Sequence, residues 1–202
     1  MPRRPVLIFA AIMLLIAAVI GGYAYMSRGP HQQQGSGVAL VGGPFSLIDQ
    51  DGRRVTEKDF LGKYMLVFFG YTYCPDICPT ELQVMSAALD QMGPEAGRIQ
   101  PIFVSIDPAR DTPEVLKAYV ANFGPRLIGL TGSPEEVAAI AKAYRAYYAK
   151  AGNGSTGTDY LMDHSSIIYL MGPDGRFVKH MPYTTDAAKL ATELKETLRT
   201  SP

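Results

Sequence analysis

The only two cysteines among 202 residues, Cys74 and Cys78, stand four apart in FFGYTYCPDICPTEL (residues 68–82), between an apolar run and an amphipathic one. Thiolates are soft and polarisable, so a pair of them suits copper(I) or zinc, or closes a redox disulfide. A thioredoxin oxidoreductase separates its cysteines by two residues, whereas Pro75, Asp76 and Ile77 intervene here. Spacing alone does not choose between disulfide and metal. A third donor would choose, because two thiolates and one imidazole make a three-coordinate copper(I) site or a copper(II) site with an open side.

Three histidines are available. His31 lies in a Gly- and Gln-rich stretch where holding a ligand in place costs conformational entropy. His180 falls inside RFVKHM (residues 176–181) and reads as a partly exposed strand residue. His164 stands in YLMDHSSIIYLM (residues 160–171), immediately before a strand. There it either reaches the sulfurs, oriented through its second nitrogen by Asp163 or a nearby carbonyl, or is a satisfied structural histidine.

The compartment bears on the thiols. Residues 6–26 carry no charge, and 21 helical residues reach about 31 Å, one hydrocarbon thickness. Arg3, Arg4 and the α-amino group precede this stretch and only Arg28 follows closely, which predicts a single-pass anchor with its N-terminus in the cytoplasm. The rival, a cleaved signal peptide with Gly22 and Ala24 at a loose small-x-small site, needs a shorter apolar core of about 7 to 15 residues. Either way the remainder is exported, where two thiols default to a structural disulfide unless something else claims them. Removing Arg3, Arg4 and Arg28 from 19 Lys and Arg leaves 16 against 19 Asp and Glu, so the exported part carries about −3. That balance excludes the strongly basic surface of a nucleic-acid binder.

The chain divides into a cytoplasmic N-terminus (1–5), the anchor (6–26), a Gly-, Gln- and Ser-rich tether (27–43) and one domain (44–202). Within the domain, residues 45–56 form a hairpin turning at Asp51-Gly52, and residues 63–71 are a buried central strand. Pro79 suits the first turn of a helix whose apolar stripe is Leu82, Met85, Leu89 and Met92. A strand over 99–107, a helix from Thr112 to near Gly124, a short strand at 127–132 and a helix capped by Ser133 and Glu136 follow. After a Gly-rich loop (152–158), a hairpin around Gly172–Gly175 and a helix over 185–198 complete the domain. The fold class is α/β and thioredoxin-like: a βαβαββα core with an inserted strand-helix pair and an N-terminal hairpin, preceded by one transmembrane helix. The cysteines sit at the first strand-to-helix junction, where the helix N-terminus favours the thiolate of Cys78 in particular.

Three strings in this order, FFGYTYCPDICPTEL, VSIDPARDTP (residues 104–113) and YLMDHSSIIYLMGPDGRF, together resemble the Sco/SenC family of copper chaperones over nearly the whole exported domain. The resemblance implies that Cys74, Cys78 and His164 are the ligands of one copper per domain, as copper(I) or copper(II). It also implies that Cys74 and Cys78 cycle to a disulfide when the metal is absent. Its implied partner is subunit II of cytochrome c oxidase, whose CuA centre such proteins help build as copper donors or as reductants of that subunit's cysteines. A periplasmic thiol reductant or copper donor would act upstream. The implied location is the inner (plasma) membrane, with the domain in the periplasm or its equivalent.

Other residues carry weaker signals. Asp107, Arg110 and Asp111 form a local ion pair and cap the helix at Thr112, or flank the copper site and support its ligands. Asp76 is a solvated loop residue, or tunes the thiolates between which it lies. Met85 and Met92 are core, Met13 and Met26 belong to the membrane segment, and Met162 and Met181 remain open as soft contacts. A sequon at Asn153 acts only in a eukaryotic secretory context. Three other classes use the same cysteines: a thiol-disulfide oxidoreductase that needs no histidine, a peroxidase with one low-pKa cysteine, and an exported domain stapled by one disulfide.

Overall fold

The computed structural model describes residues 13, 16, 22, 41–152, 160–183 and 185–200. The chain separates into two units, Met1–Ala39 and Leu40–Pro202. In the first, Met13, Ile16 and Gly22 are helical. Most of the expected anchor and tether lies outside the described residues, and so does Asn153. Among the described residues, no helix is long and apolar enough to cross a membrane.

The second unit is built on β3 (Tyr64–Gly70), in which every residue of YMLVFFG is buried. A strand covered on both faces has no polar side to alternate with, which is why its sequence is continuously apolar. β4 (Ile99–Ser105) and β5 (Ile128–Thr131) continue from it in parallel, with Gly70 opposite Ser105. β8 (Ile167–Met171) lies antiparallel on its other side and β9 (Phe177–Pro182) antiparallel to β8. The hairpin β1 (Ser46–Asp49) and β2 (Arg54–Thr56) extends the β5 edge, giving the order β2-β1-β5-β4-β3-β8-β9. Gly52 has φ +79° and its N–H donates to Asp49 O, so the turn sits at the predicted Asp51-Gly52.

Side chains of neighbouring strand residues point to opposite faces, and β3 shows what each face meets. Phe69 packs on Tyr144 of α3 (Pro134–Tyr144), at 5.3 Å between ring centroids. On the other face, Phe68 stacks on Phe103, which packs on Tyr119 of α2 (Pro113–Val120). That face also carries α1 (Ile77–Met92), against which α4 (Ala187–Thr200) packs. The α3 capping box is formed as predicted: Ser133 Oγ accepts from Glu136 N–H and Glu136 Oε2 from Ser133 N–H. The last helix begins two residues later than expected because Asp186 Oδ1 caps it, accepting from Lys189 N–H.

A two-stranded ribbon stands apart from the main sheet. β6 (Tyr148–Lys150) pairs antiparallel with β7 (Met162–His164), Tyr148 opposite His164. Three-residue strands leave no periodic signature, and none of the residue patterns announces this ribbon.

The predicted apolar stripe of α1 is buried, and Glu81 is buried with it at 1% exposure. Among the described residues its Oε1 has no hydrogen-bond partner, and burial pushes its carboxyl up to about 7. In the unfolded chain a Glu titrates near ~4.3. The stability tied to the neutral acid is therefore fully present below that value and lost as pH rises through about 7. Glu81→Gln should gain on the native protein across this window, by roughly 3 kcal/mol above it. Urea unfolding of both proteins at pH 4.5 and pH 8 reads the difference, and an equal gap at the two pH values would contradict it.

Candidate metal centre

The end of β3 delivers the first donor. Past Gly70 the chain turns, Cys74 N–H donating to Tyr71 O, and α1 begins at Ile77 with Cys78 in its first turn. Cys78 is fully buried and Cys74 half-buried, and both are free thiols. A Cβ on Gly70 would lie 2.7 Å from Cys78 Sγ and 2.8 Å from the Phe103 ring. The missing side chain at Gly70 is the space the thiol occupies.

The ribbon delivers the second kind of donor. His164 ends β7, with its Nε2 3.3 Å from Cys78 Sγ and its Nδ1 3.3 Å from the Ser165 carbonyl. An Nδ1–H donated to that carbonyl leaves the Nε2 lone pair facing the sulfurs, the tautomer a metal ligand needs. The ring is packed edge-on against Phe68 and Tyr71 at 6.0 and 6.1 Å between centroids. Tyr71 also accepts from Met162 N–H at 3.1 Å, which ties β7 to the cysteine loop. One sulfur each from Cys74 and Cys78 and a nitrogen of His164 thus lie within 4.8 Å of one another. Among the described residues no other group of three His, Cys, Asp or Glu side chains is so placed.

The environment of the thiols reverses one expectation. Helix position favours a thiolate at Cys78, but the structure favours Cys74. Hydrogen bonding from the Cys78 thiol, then from His164 and the N–H groups of Cys78 and Asp76, holds Cys74 at about 4 despite its partial burial. Cys78 is pushed upward by its bond to Cys74, by burial and by the neighbouring negative charge. The bond to Cys74, with burial behind it, opposes the thiolate that the helix end would favour at Cys78.

The supporting residues divide. Asp163 is exposed and the Ser165 carbonyl faces Nδ1, so of the two expected orienting groups the carbonyl has that place. Asp76 is exposed at the N-cap position of α1. Asp107 forms an ion pair with Arg110 and accepts from Tyr160 Oη at 2.6 Å, while Thr112 Oγ1 caps α2. The local ion pair and cap are both present, yet the loop does more. The Arg110 guanidinium lies over Tyr160, Tyr73 and Tyr71, at 3.8, 4.7 and 5.7 Å from their ring centres. Asp111, fully buried, accepts from Thr72 N–H, Thr72 Oγ1 and Ser105 Oγ. Gly70 is the contributor that sequence reasoning missed, its only signal being a glycine that ends an otherwise bulky strand. Met162 lines the groove beside His164, whereas Met181 is core. His180 is exposed on β9 against Phe177, away from the site.

A thioredoxin-like α/β domain carrying two thiols and an imidazole at its first strand-to-helix junction is thus a candidate soft-metal or redox protein. Known proteins narrow the class. Residues 33–199 match the SCO1/SenC family, and the chain belongs to that family. The mitochondrial SCO1 homolog 1 of Arabidopsis thaliana is 47% identical over 165 residues, which are 81% of this chain and 49% of that protein. The crystal structure of yeast Sco1 with copper bound superposes with a TM-score of 0.75 at 41% identity, covering 80% of this chain and 90% of that one. BsSco, a Sco-family cytochrome c oxidase assembly protein in which a disulfide switch was identified, superposes at 0.62 with 26% identity, covering 81% and 96%. The chain spans about half the length of the curated relatives it matches first.

Two outcomes are expected of this site. Iodoacetamide at pH 6 should alkylate Cys74 and spare Cys78, peptide mass spectrometry giving the ratio; preferential labelling of Cys78 would reverse the assignment. Gly70→Ala should cost about 1 to 3 kcal/mol by overpacking and weaken metal binding by displacing Cys78 Sγ, both measurable by denaturation and metal titration.

Proposed function

We propose that the chain is a membrane-anchored copper metallochaperone with Cys74, Cys78 and His164 as copper ligands, one copper per domain. The convergence of two sulfurs and a correctly presented imidazole nitrogen within 4.8 Å carries the reading. A structural zinc site closes itself with a fourth protein ligand, whereas among the described residues the group has three members. A carrier benefits from that opening, since an incoming acceptor ligand can bind before the old ones leave. Copper is cargo in this scheme. Cys74 is already ionised near neutral pH, and the Cys78 thiol gives up its proton on loading.

The recipient is the CuA centre of cytochrome c oxidase subunit II. Residues 6–26 anchor the chain in the inner (plasma) membrane with the N-terminus inside, the tether 27–43 gives reach, and domain 44–202 works on the periplasmic or extracytoplasmic side. Asp107, Arg110 and Asp76 support the ligand loop rather than bind the metal.

A second reading is favoured by the unequal thiols. The accessible Cys74 thiolate attacks a disulfide on subunit II, releasing one acceptor thiolate and forming a mixed disulfide. Cys78, deprotonated, then attacks Cys74 Sγ; the second acceptor thiolate leaves and the Cys74–Cys78 disulfide holds the two electrons' worth of oxidation. An upstream thiol reductant restores the pair. The BsSco disulfide switch fits such a cycle.

Copper titration of the full chain in mild detergent distinguishes the two. Wild type should hold one copper tightly, and Cys74→Ser, Cys78→Ser and His164→Ala should each lose it. An His164→Ala chain that matures the oxidase as well as wild type would remove the copper role and leave the thiol role.

A further inference from the structure

Ligand exchange brings an acceptor's donor atoms to within about 2.0 to 2.3 Å of the metal, so the protein that takes copper from this site must cover the surface around it. That surface has a distinctive composition. Tyr73 is 57% exposed, Tyr147 63%, Leu161 48% and Tyr183 51%. Leu161 lines the groove, and the other three are joined along the backbone to residues at or next to it. Tyr73 precedes Cys74, and Leu161 lines the groove with His164. Tyr147 exchanges hydrogen bonds with Ser165, its N–H to Ser165 Oγ and its carbonyl from Ser165 N–H, while Tyr183 N–H donates to Ser166 O. The other large exposed hydrophobics described in the domain, Leu61, Val115 and Val178, belong to the loop before β3, to α2 and to β9.

Large apolar side chains gathered at one functional groove mark an interaction site, and tyrosine is enriched where such sites hold their binding energy. Charge adds a direction. Asp76 and Asp163 line the groove and are exposed, and among the described residues no Lys or Arg lines it, while the Arg110 guanidinium lies over the Tyr73 ring. A complementary partner face is apolar at its centre and basic at its edge.

We propose that Tyr73, Tyr147, Leu161 and Tyr183 form the docking surface for the copper acceptor, a protein whose thiol ligands project from an apolar face edged by lysine or arginine. This rests on the copper-carrier reading and names the surface through which it operates. The backbones of Tyr147 and Tyr183 carry their hydrogen bonds, so truncating the rings removes contact area and leaves the ligands in place.

The test uses the copper-loaded full chain in mild detergent, with the reduced, copper-free CuA domain of oxidase subunit II as probe, by titration calorimetry. The double variant Tyr147→Ser/Tyr183→Ser should keep one copper per chain and bind the probe at least about 30-fold more weakly. Wild-type affinity should fall as salt rises, and Asp163→Asn should flatten that dependence. Wild-type affinity in the double variant, or no binding of the probe by copper-loaded wild type, overturns the proposal. So does sedimentation showing that the rim holds two copies of the chain together while acceptor affinity is indifferent to the tyrosines. A wild-type chain that takes up no copper overturns the carrier reading itself.

Discussion

The buried carboxylate of Asp111 holds the metal centre's most irregular segment in place. It has no solvent exposure and accepts three hydrogen bonds, two from Thr72 in the cysteine loop and one from Ser105 at the end of β4. Such bonds to a charged acceptor contribute about 1.5 to 3 kcal/mol each, and losing the acceptor would strand buried donors. Burial nevertheless outweighs them and leaves the Asp111 carboxyl raised, so the network is satisfied but costly. Residues 71–76 lie between strand and helix without a ladder of their own. Asp111 substitutes for that ladder by fastening Thr72 to the neighbouring strand.

The same loop reaches the imidazole. Arg110, paired with Asp107, lies over Tyr71 and Tyr73 from the cysteine segment and Tyr160 from the approach to β7. Tyr71 then holds the backbone of Met162, two residues before His164. Residues 105–111 thus join sulfur and nitrogen donors that are 86 residues apart in sequence. Across that separation the two sulfurs and the imidazole nitrogen lie within 4.8 Å of one another.

Legibility in the sequence followed the strength of local periodicity. The seven-residue apolar run of β3 and the stripe Leu82, Met85, Leu89 and Met92 of α1 announced themselves because burial on two faces or one face leaves a repeating pattern. Ser133 with Glu136, and Asp51 with Gly52, were readable because caps and turns use local bonds. The β6–β7 ribbon was not, since three residues hold no period and its register depends on Tyr71 and Ser165. Glu81 was hidden for the opposite reason: a charged residue beside an apolar stripe is assigned to the solvent face, and its burial depends on tertiary packing. The candidate ligands were visible as residue types, but their geometry rests on Gly70 having no side chain, a long-range fact that no local pattern encodes.

The inequality of the thiols bears on both proposed chemistries, metal carriage and disulfide exchange. A helix end stabilises a nearby anion by about 0.3 to 1 kcal/mol at exposed positions, more in buried ones. The hydrogen bond to Cys74, the burial of Cys78 and the negative charge at Cys74 all oppose a thiolate at Cys78. One sulfur is therefore ionised and accessible, the other protonated and enclosed. A metal cation overcomes that asymmetry by neutralising both sulfurs at once, whereas an electrophilic disulfide meets Cys74 alone. On the proposed reading, the packing that sets Cys78 against Gly70 lets the site meet a cation with both thiols and an oxidant with one after the other.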